Sequence, residues 1–319
     1  MNGDFIVRPR SFDVGVVQSD SLTMDKAATL EQWQQIRKQQ RAIIAGEVSF
    51  IKQNKVNLIL ADISPLATAI AEAAGIPCWM MGNFGWDFIY RDLGEEFMEL
   101  ADWISGCFSK CDRLFRFPLH EPMKAFPHQI DVGLTGGNPR FDLDYLRGKL
   151  GIKTPPEKTI LLTFGGLGLT AIPDHNIERL SDYTFITFDQ NLPPFPNLIQ
   201  VSNTLKLPDS NSRLFHLRPV DLMPLCGQVI SKPGYSTFAE AFRLDIPLVS
   251  LTRDGFAEAP VLLEWLQNYG THQIITAREF FEQDWNFLDR QFIQPSLSQK
   301  LDKNGNEAIA QAVIDYVVD

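Results

Sequence analysis

The sequence predicts an α/β protein of two doubly wound domains. Three observations carry this: a length of 319 residues, short apolar runs alternating with helical patterns in both halves, and a Gly- and Pro-punctuated stretch between them. One core seldom serves more than about 250–300 residues, so two domains are expected, over 1–150 and 151–319. In such sheets ligands bind beyond the carboxyl ends of the strands, here with a cleft expected between the domains.

In the first half, Phe12–Gln18 is apolar and reads as a strand, and Ser19–Asp25 as a polar turn. Leu30, Trp33, Ile36, Ile43, Ile44, Val48 and Ile51 then recur near one helical face. The run 56–62 (VNLILAD) reads as a buried parallel strand, and 68–74 as a helix that Gly75 closes. A strand over Ile76–Gly82, a helix bearing Phe97, Leu100, Ile104 and Phe108, and a strand over Arg113–Phe117 follow. The stretch 128–157 reads as a connection holding one short helix near Asp144–Leu150. Seven further strands are expected at 159–166, 184–189, 197–202, 214–217, 228–234, 246–252 and 271–276, and a final helix through Ala308–Val317.

Composition limits the function. Hydrophobic residues at 45% and charged residues at 21% fit a globular chain, and 29 Lys+Arg against 39 Asp+Glu give a net charge of −10. That balance argues against nucleic acid or an anionic membrane as partner but leaves room for a small anionic ligand. No apolar run reaches the roughly 18–20 residues that span a bilayer, and the N-terminus has no signal-peptide core. The four cysteines (Cys78, Cys107, Cys111, Cys226) show no disulfide framework, so a cytoplasmic location is expected. No cofactor motif and no zinc shell is legible, and the five histidines are scattered.

The segment 229–241 (VISKPGYSTFAEA) carries the most chemistry. A buried strand ends near Ser231, a turn contains Gly234, and a helix is expected to start at Ser236 or Thr237. Free N–H groups and the positive helix end would then face one spot, with the charge of Lys232 beside them, which suits a diphosphate. Glu240 lies where a carboxylate can hold ribose hydroxyls. Thr237-Phe-Ala-Glu240 also reads as a capping box, in which Glu240 turns back to the helix start. Arg253, after the next strand, suits bidentate phosphate contact, or a surface ion pair with Asp254 or Glu258. Gly165, Gly166 and Gly168 allow close backbone approach to a ligand or simply make a tight turn. In the first half Asn83, Trp86 and Asp87 follow a buried strand. Trp86 can stack on a sugar or pack internally, and Asp87 can act as a base or as a helix cap. Gln18, Asp20 and Asp25 carry the same double reading before the long helix.

Four stretches, 16–25 (VVQSDSLTMD), 82–90 (GNFGWDFIY), 232–241 (KPGYSTFAEA) and 251–260 (LTRDGFAEAP), resemble the glycosyltransferase-like N-terminal region of L-arabinokinases and related bacterial glycosyltransferases. The resemblance implies a GT-B fold of two Rossmann-like domains, with an incomplete N-terminal, acceptor-side domain. It implies a nucleotide-sugar donor, UDP-linked, at Gly165, Gly166, Gly168, Lys232, Gly234, Ser236, Thr237, Glu240 and Arg253. The helix dipole, Lys232 and Arg253 are expected to hold the diphosphate without a metal. Asn83 and Trp86 would face an unknown acceptor, and Asp20, Asp25 and Asp87 are the candidate bases. The paired amides familiar after the strand at 246–252 are replaced by Arg253-Asp254-Gly255, which leaves the sugar open. The Gly-His-Gly type loop that opens such domains has no counterpart before Phe12, so the first strand and loop are expected to be missing. Two other readings follow: a non-catalytic nucleotide-sugar-binding or regulatory module, and a UDP-sugar hydrolase or epimerase.

Overall fold

The structure is a computed structural model and describes residues 5–19, 23–165, 172–202, 204–209 and 211–318. Two compact units divide it. The first comprises 1–18, 24–116 and 122–130; the second comprises 19–23, 117–121 and 131–319.

The first unit contains α1 (Lys26–Asn54), β1 (Ile59–Asp62), α2 (Leu66–Ala74), β2 (Cys78–Gly82), α3 (Trp86–Leu93), α4 (Met98–Phe108), β3 (Arg113–Arg116) and nearly all of β4 (Gln129–Asp131). Its sheet runs β1-β2-β3-β4, with β1, β2 and β3 parallel. Asp25 caps α1 by accepting from Ala28 N, and Gly75 closes α2 in the left-handed region, as its position predicts. Trp33, Met80, Tyr90, Phe97 and Phe108 centre the core, where Trp33 Nε1 donates to the Tyr90 hydroxyl at 2.5 Å.

The expected strand over Phe12–Gln18 does not form. Val14 and Val16 do pack on the core, but the backbone hydrogen bonds go to the start of α1: Val17 N donates to Thr29 Oγ1, and Asp25 N to Val17 O. Satisfied by a helix end, this segment needs no ladder partner.

The second unit contains α5 (Leu143–Leu150), β5 (Thr159–Leu162), α6 (Asp174–Arg179), β6 (Thr184–Thr187), β7 (Leu198–Gln200), β8 (Lys206–Pro208), β9 (Leu214–His216) and α7 (Pro219–Leu222). It continues with β10 (Gln228–Ser231), α8 (Tyr235–Arg243), β11 (Leu248–Leu251), α9 (Glu258–Tyr269), β12 (His272–Ile275), α10 (Ala277–Phe281) and α11 (Gly305–Val318). The connection expected over 128–157 joins this core, since Leu134, Phe141 and Leu146 pack into it. A parallel sheet runs β12-β11-β10-β5-β6-β7. The expected strand at 214–217 pairs instead with β8 in a separate antiparallel hairpin.

Adjacent apolar residues recur along these strands because both faces are covered. Leu161, Ile186, Val229 and Leu248 pack on one face; Ile160, Leu162, Phe185, Ile230 and Val249 pack on the other. The chain winds outward through β5, β6 and β7, then returns to place β10 beside β5. The winding direction therefore reverses between β5 and β10, the crevice where open α/β sheets hold ligands.

Where α11 begins, a Cβ on Gly305 would overlap the carbonyl oxygen of Gly133. Gly305→Ala is expected to cost roughly 1–3 kcal/mol, from backbone displacement rather than helix propensity. A urea titration showing an unchanged midpoint would contradict this close approach.

Candidate functional site

The reversal point is furnished by loops that follow three neighbouring strands. After β10, the strand stops at Ser231 and α8 begins at Tyr235, earlier than the sequence suggests, with Gly234 as its N-cap in an extended conformation. Among the described residues no side chain caps this end. The first-turn N–H groups of Tyr235, Ser236 and Thr237 thus face outward with the positive end of the helix dipole. Among the described residues, a Cβ on Gly234 would meet nothing within 4 Å, so the space before the turn is open. Ser236 is exposed and Thr237 half-buried in this turn.

Two cations back the turn. Half-buried Lys232 directly follows β10, and Arg253 follows the adjacent β11, where it is buried with its guanidinium 4.1 Å above the Phe256 ring. Arg253 is therefore buried rather than a surface residue. The Lys232 amine is pushed down to about 8, first by burial and then by the Arg253 charge, with Glu258 pulling the other way. Two mutually repelling cations beside uncapped amides form a site that an anion would stabilise. Gly165, three residues past β5, adopts a positive φ of 85°, which accounts for a glycine there. Gly166 and Gly168 lie outside the described residues, as does Asp20.

Glu240 corrects the capping-box reading. Because α8 starts at Tyr235, Thr237 is already helical, and Glu240 Oε1 accepts from Gly137 N at 2.9 Å. Burial raises the Glu240 carboxyl above its ordinary value; the Gly137 N–H and the charges of Arg218 and Arg243 partly offset this. The Gly136–Asn138 loop is fixed from the far side. Arg243 Nη1 donates to Gly136 O at 2.7 Å, and Arg218 Nη2 to Asn138 O at 2.6 Å. A Cβ on Gly137 would come 2.8 Å from Arg218 Nη1 and 3.1 Å from Glu240 Oε1, so a larger residue there would displace these two side chains.

Beneath this loop lies an arrangement the sequence reading missed. Asp221 is fully buried and takes charged hydrogen bonds from Arg140 Nη2 at 2.7 Å and Arg218 Nη2 at 3.1 Å. Burial pushes its carboxyl up, but the hydrogen bonds from Arg140 and Arg218 prevail and hold it below the usual carboxylate range. The local signal was Arg218-Pro-Val-Asp221, a capping box around α7; Arg140 is too distant in sequence to be paired by inspection.

In the first unit the predicted residues separate. Asp25 caps α1, accepting from Ala28 N through one oxygen. Gly85, not Asp87, is the N-cap of α3. Asp87 sits in the first turn, and burial pushes its carboxyl up against the Phe88 N–H and Arg91. Trp86 stacks on Tyr90 at 5.8 Å and meets Phe84 edge-on, and a Cβ on Gly15 would touch its ring at 3.4 Å, so packing occupies much of its surface. Asn83 is buried just past β2.

A pair of carboxylates also went unnoticed in the sequence. Asp62 ends β1, and Asp13 lies in the extended segment near it. Desolvation raises both carboxyls, the Asp13 charge adds to the rise of Asp62, and Ser64 tempers that of Asp13. Ile63 between Asp62 and Ser64 has φ 40°, a strained setting for a β-branched residue, costing about 1–3 kcal/mol.

These two units define an α/β chain with the GT-B glycosyltransferase fold, and solved structures agree. UGT89C1 of Arabidopsis thaliana, solved with quercetin, matches with a TM-score of 0.55 at 13% identity, covering 81% of this chain and 68% of that one. UDP-glucose: anthocyanidin 3-O-glucosyltransferase, solved with UDP, matches at 0.51 and 10% identity, covering 83% and 73%. The calicheamicin glycosyltransferase CalG4 matches at 0.52 and 12% identity, covering 83% and 72%. In sequence, the chain is similar to L-arabinokinase of Arabidopsis thaliana, 28% identical over 296 residues. That match covers 89% of this chain and 27% of the arabinokinase, so the chain spans about a quarter of that relative. No family model matches. Among the described residues no helix is long and apolar enough to cross a membrane.

Proposed function

We propose that this chain binds a UDP-linked sugar at the reversal point of its second unit and transfers the sugar to an acceptor hydroxyl. The observation that carries the reading is the open, uncapped start of α8 flanked by two cations, Lys232 and Arg253, on adjacent strand ends. The diphosphate takes the N–H groups of Tyr235–Thr237 and both charges, while Glu240, held at one oxygen by Gly137, offers the other to ribose. The UDP-bound relative with this fold supports the choice of nucleotide.

Chemically, the bond between the anomeric carbon and the diphosphate oxygen breaks as the acceptor oxygen attacks. The charge left on the diphosphate is met by dipoles and cations already in place, with no metal needed in this reading. The acceptor proton passes to a carboxylate. Asp13, Asp62 and Asp87 have the raised affinity for a proton that this task requires.

Nucleotide release from UDP-sugars, measured with a panel of hydroxylated acceptors, tests the proposal. UDP should accumulate only when donor and acceptor are both present. Release without acceptor would favour a hydrolase, and UDP binding without any turnover a binding module. Asp13→Asn should lower turnover by about 100-fold or more if Asp13 takes the proton, with UDP affinity unchanged.

A further inference from the structure

The first unit has a groove that none of the donor-side reasoning uses. It has a volume of about 620 Å³ and runs between the extended segment at Ser11–Val14 and one face of α1. That lies within the range of small-molecule sites, about 300–1,000 Å³. Gln32, Gln35 and Gln39 follow one another at helical spacing along its wall, Asp13 and Glu31 flank them, and Ile36 lies among them.

The chemistry of this lining is selective. A primary amide offers two donors and an acceptor, so three in a row can meet hydroxyls in either role. Amides also lose less than charged groups when water is displaced from them. Among the described residues no lysine or arginine lines the groove, although α1 carries several. Arg37, two residues beyond Gln35 on α1, is drawn to Glu99 at 2.6 and 2.9 Å and lies 5.2 Å from the Trp103 ring. With two carboxylates and no cation, the groove repels phosphorylated or carboxylated ligands.

We propose that this groove binds an uncharged, polyhydroxylated molecule, a free mono- or disaccharide or a polyol, and that this molecule is the acceptor. The identity as acceptor rests on the transferase reading above; the binding chemistry does not. Asp13 joins the two, because it lines the groove and also belongs to the Asp13–Asp62 pair. A hydroxyl lying along the amides thus has a carboxylate of raised proton affinity at hand.

Saturation-transfer NMR on the full chain, with glucose, sucrose and myo-inositol as neutral probes and glucose 6-phosphate as the anionic one, tests this. At least one neutral probe should bind, glucose 6-phosphate should bind at least tenfold more weakly than glucose, and Gln35→Ala and Gln39→Ala should each weaken neutral binding severalfold. Alanine favours a helix, so these variants should keep α1 folded. No binding by any neutral probe, equal binding of the phosphorylated sugar, or indifference to both substitutions overturns the proposal. UDP is titrated in parallel. If UDP fails to bind while a neutral probe responds to the glutamine changes, the groove stands and the donor reading falls; the opposite pattern removes the groove alone.

Discussion

Lys232→Met is expected to weaken UDP binding roughly 10- to 100-fold, the loss that follows removal of a hydrogen bond to a charged group. The effect should depend on pH. In the free protein the Lys232 amine sheds its proton near about 8 instead of its ordinary 10.5. A bound diphosphate favours the charged amine, so UDP affinity should be steady below that value and fall by up to about tenfold per pH unit above it. Calorimetric titrations at pH 7 and 9 on both proteins check this, and the variant should lose the part of the decline that Lys232 causes. An undiminished decline in the variant would assign it to another group. Stability of the unliganded protein should move the other way. Between about 8 and 10.5 the unfolded chain holds a proton at Lys232 that the native state has released, so this residue's contribution to stability rises with pH across that window.

Asp221→Ala should have the largest effect on stability, roughly 3–5 kcal/mol, because it strands the Arg140 and Arg218 charges around a buried vacancy. A urea titration reads this directly. The carboxyl of Asp221 lies below its ordinary value in the folded state, so its stabilisation is fully present above the unfolded carboxylate's pKa. It is lost as pH falls through the lower folded value, and the variant should show a shallower decline in stability in acid. Arg218 also holds Asn138, so the Gly137 contact with Glu240 should loosen too and UDP affinity should fall. A variant as stable as the parent would mean that the two arginines find solvent without cost.

Much of the second unit was legible because its chemistry is local. Runs such as 159–162 and 228–231 are buried at every position and carry adjacent apolar residues at their centres, which fits strands covered on both faces, and Lys232 needs only to follow such a strand to reach the carboxyl edge. What escaped depends on contacts distant in sequence. Glu240 had a plausible local partner in Thr237, yet it bonds the backbone of Gly137, a residue fixed by Arg218 and Arg243. Phe12–Gln18 has the composition of a strand, but the start of α1 takes its hydrogen bonds. Asp13 and Asp62 look unremarkable singly; only the fold brings their charges together and pairs them beside the strained Ile63. Trp86 and Asp25 each satisfy an ordinary structural need, as stacking partner and helix cap.

The most direct measurement is a crystal structure of the protein soaked with UDP. The account predicts the two phosphates within hydrogen-bonding distance of the Ser236 and Thr237 amides, with Lys232 and Arg253 beside them and the ribose on the oxygen of Glu240 that Gly137 leaves available. UDP bound elsewhere, or the start of α8 empty at saturating nucleotide, would contradict it.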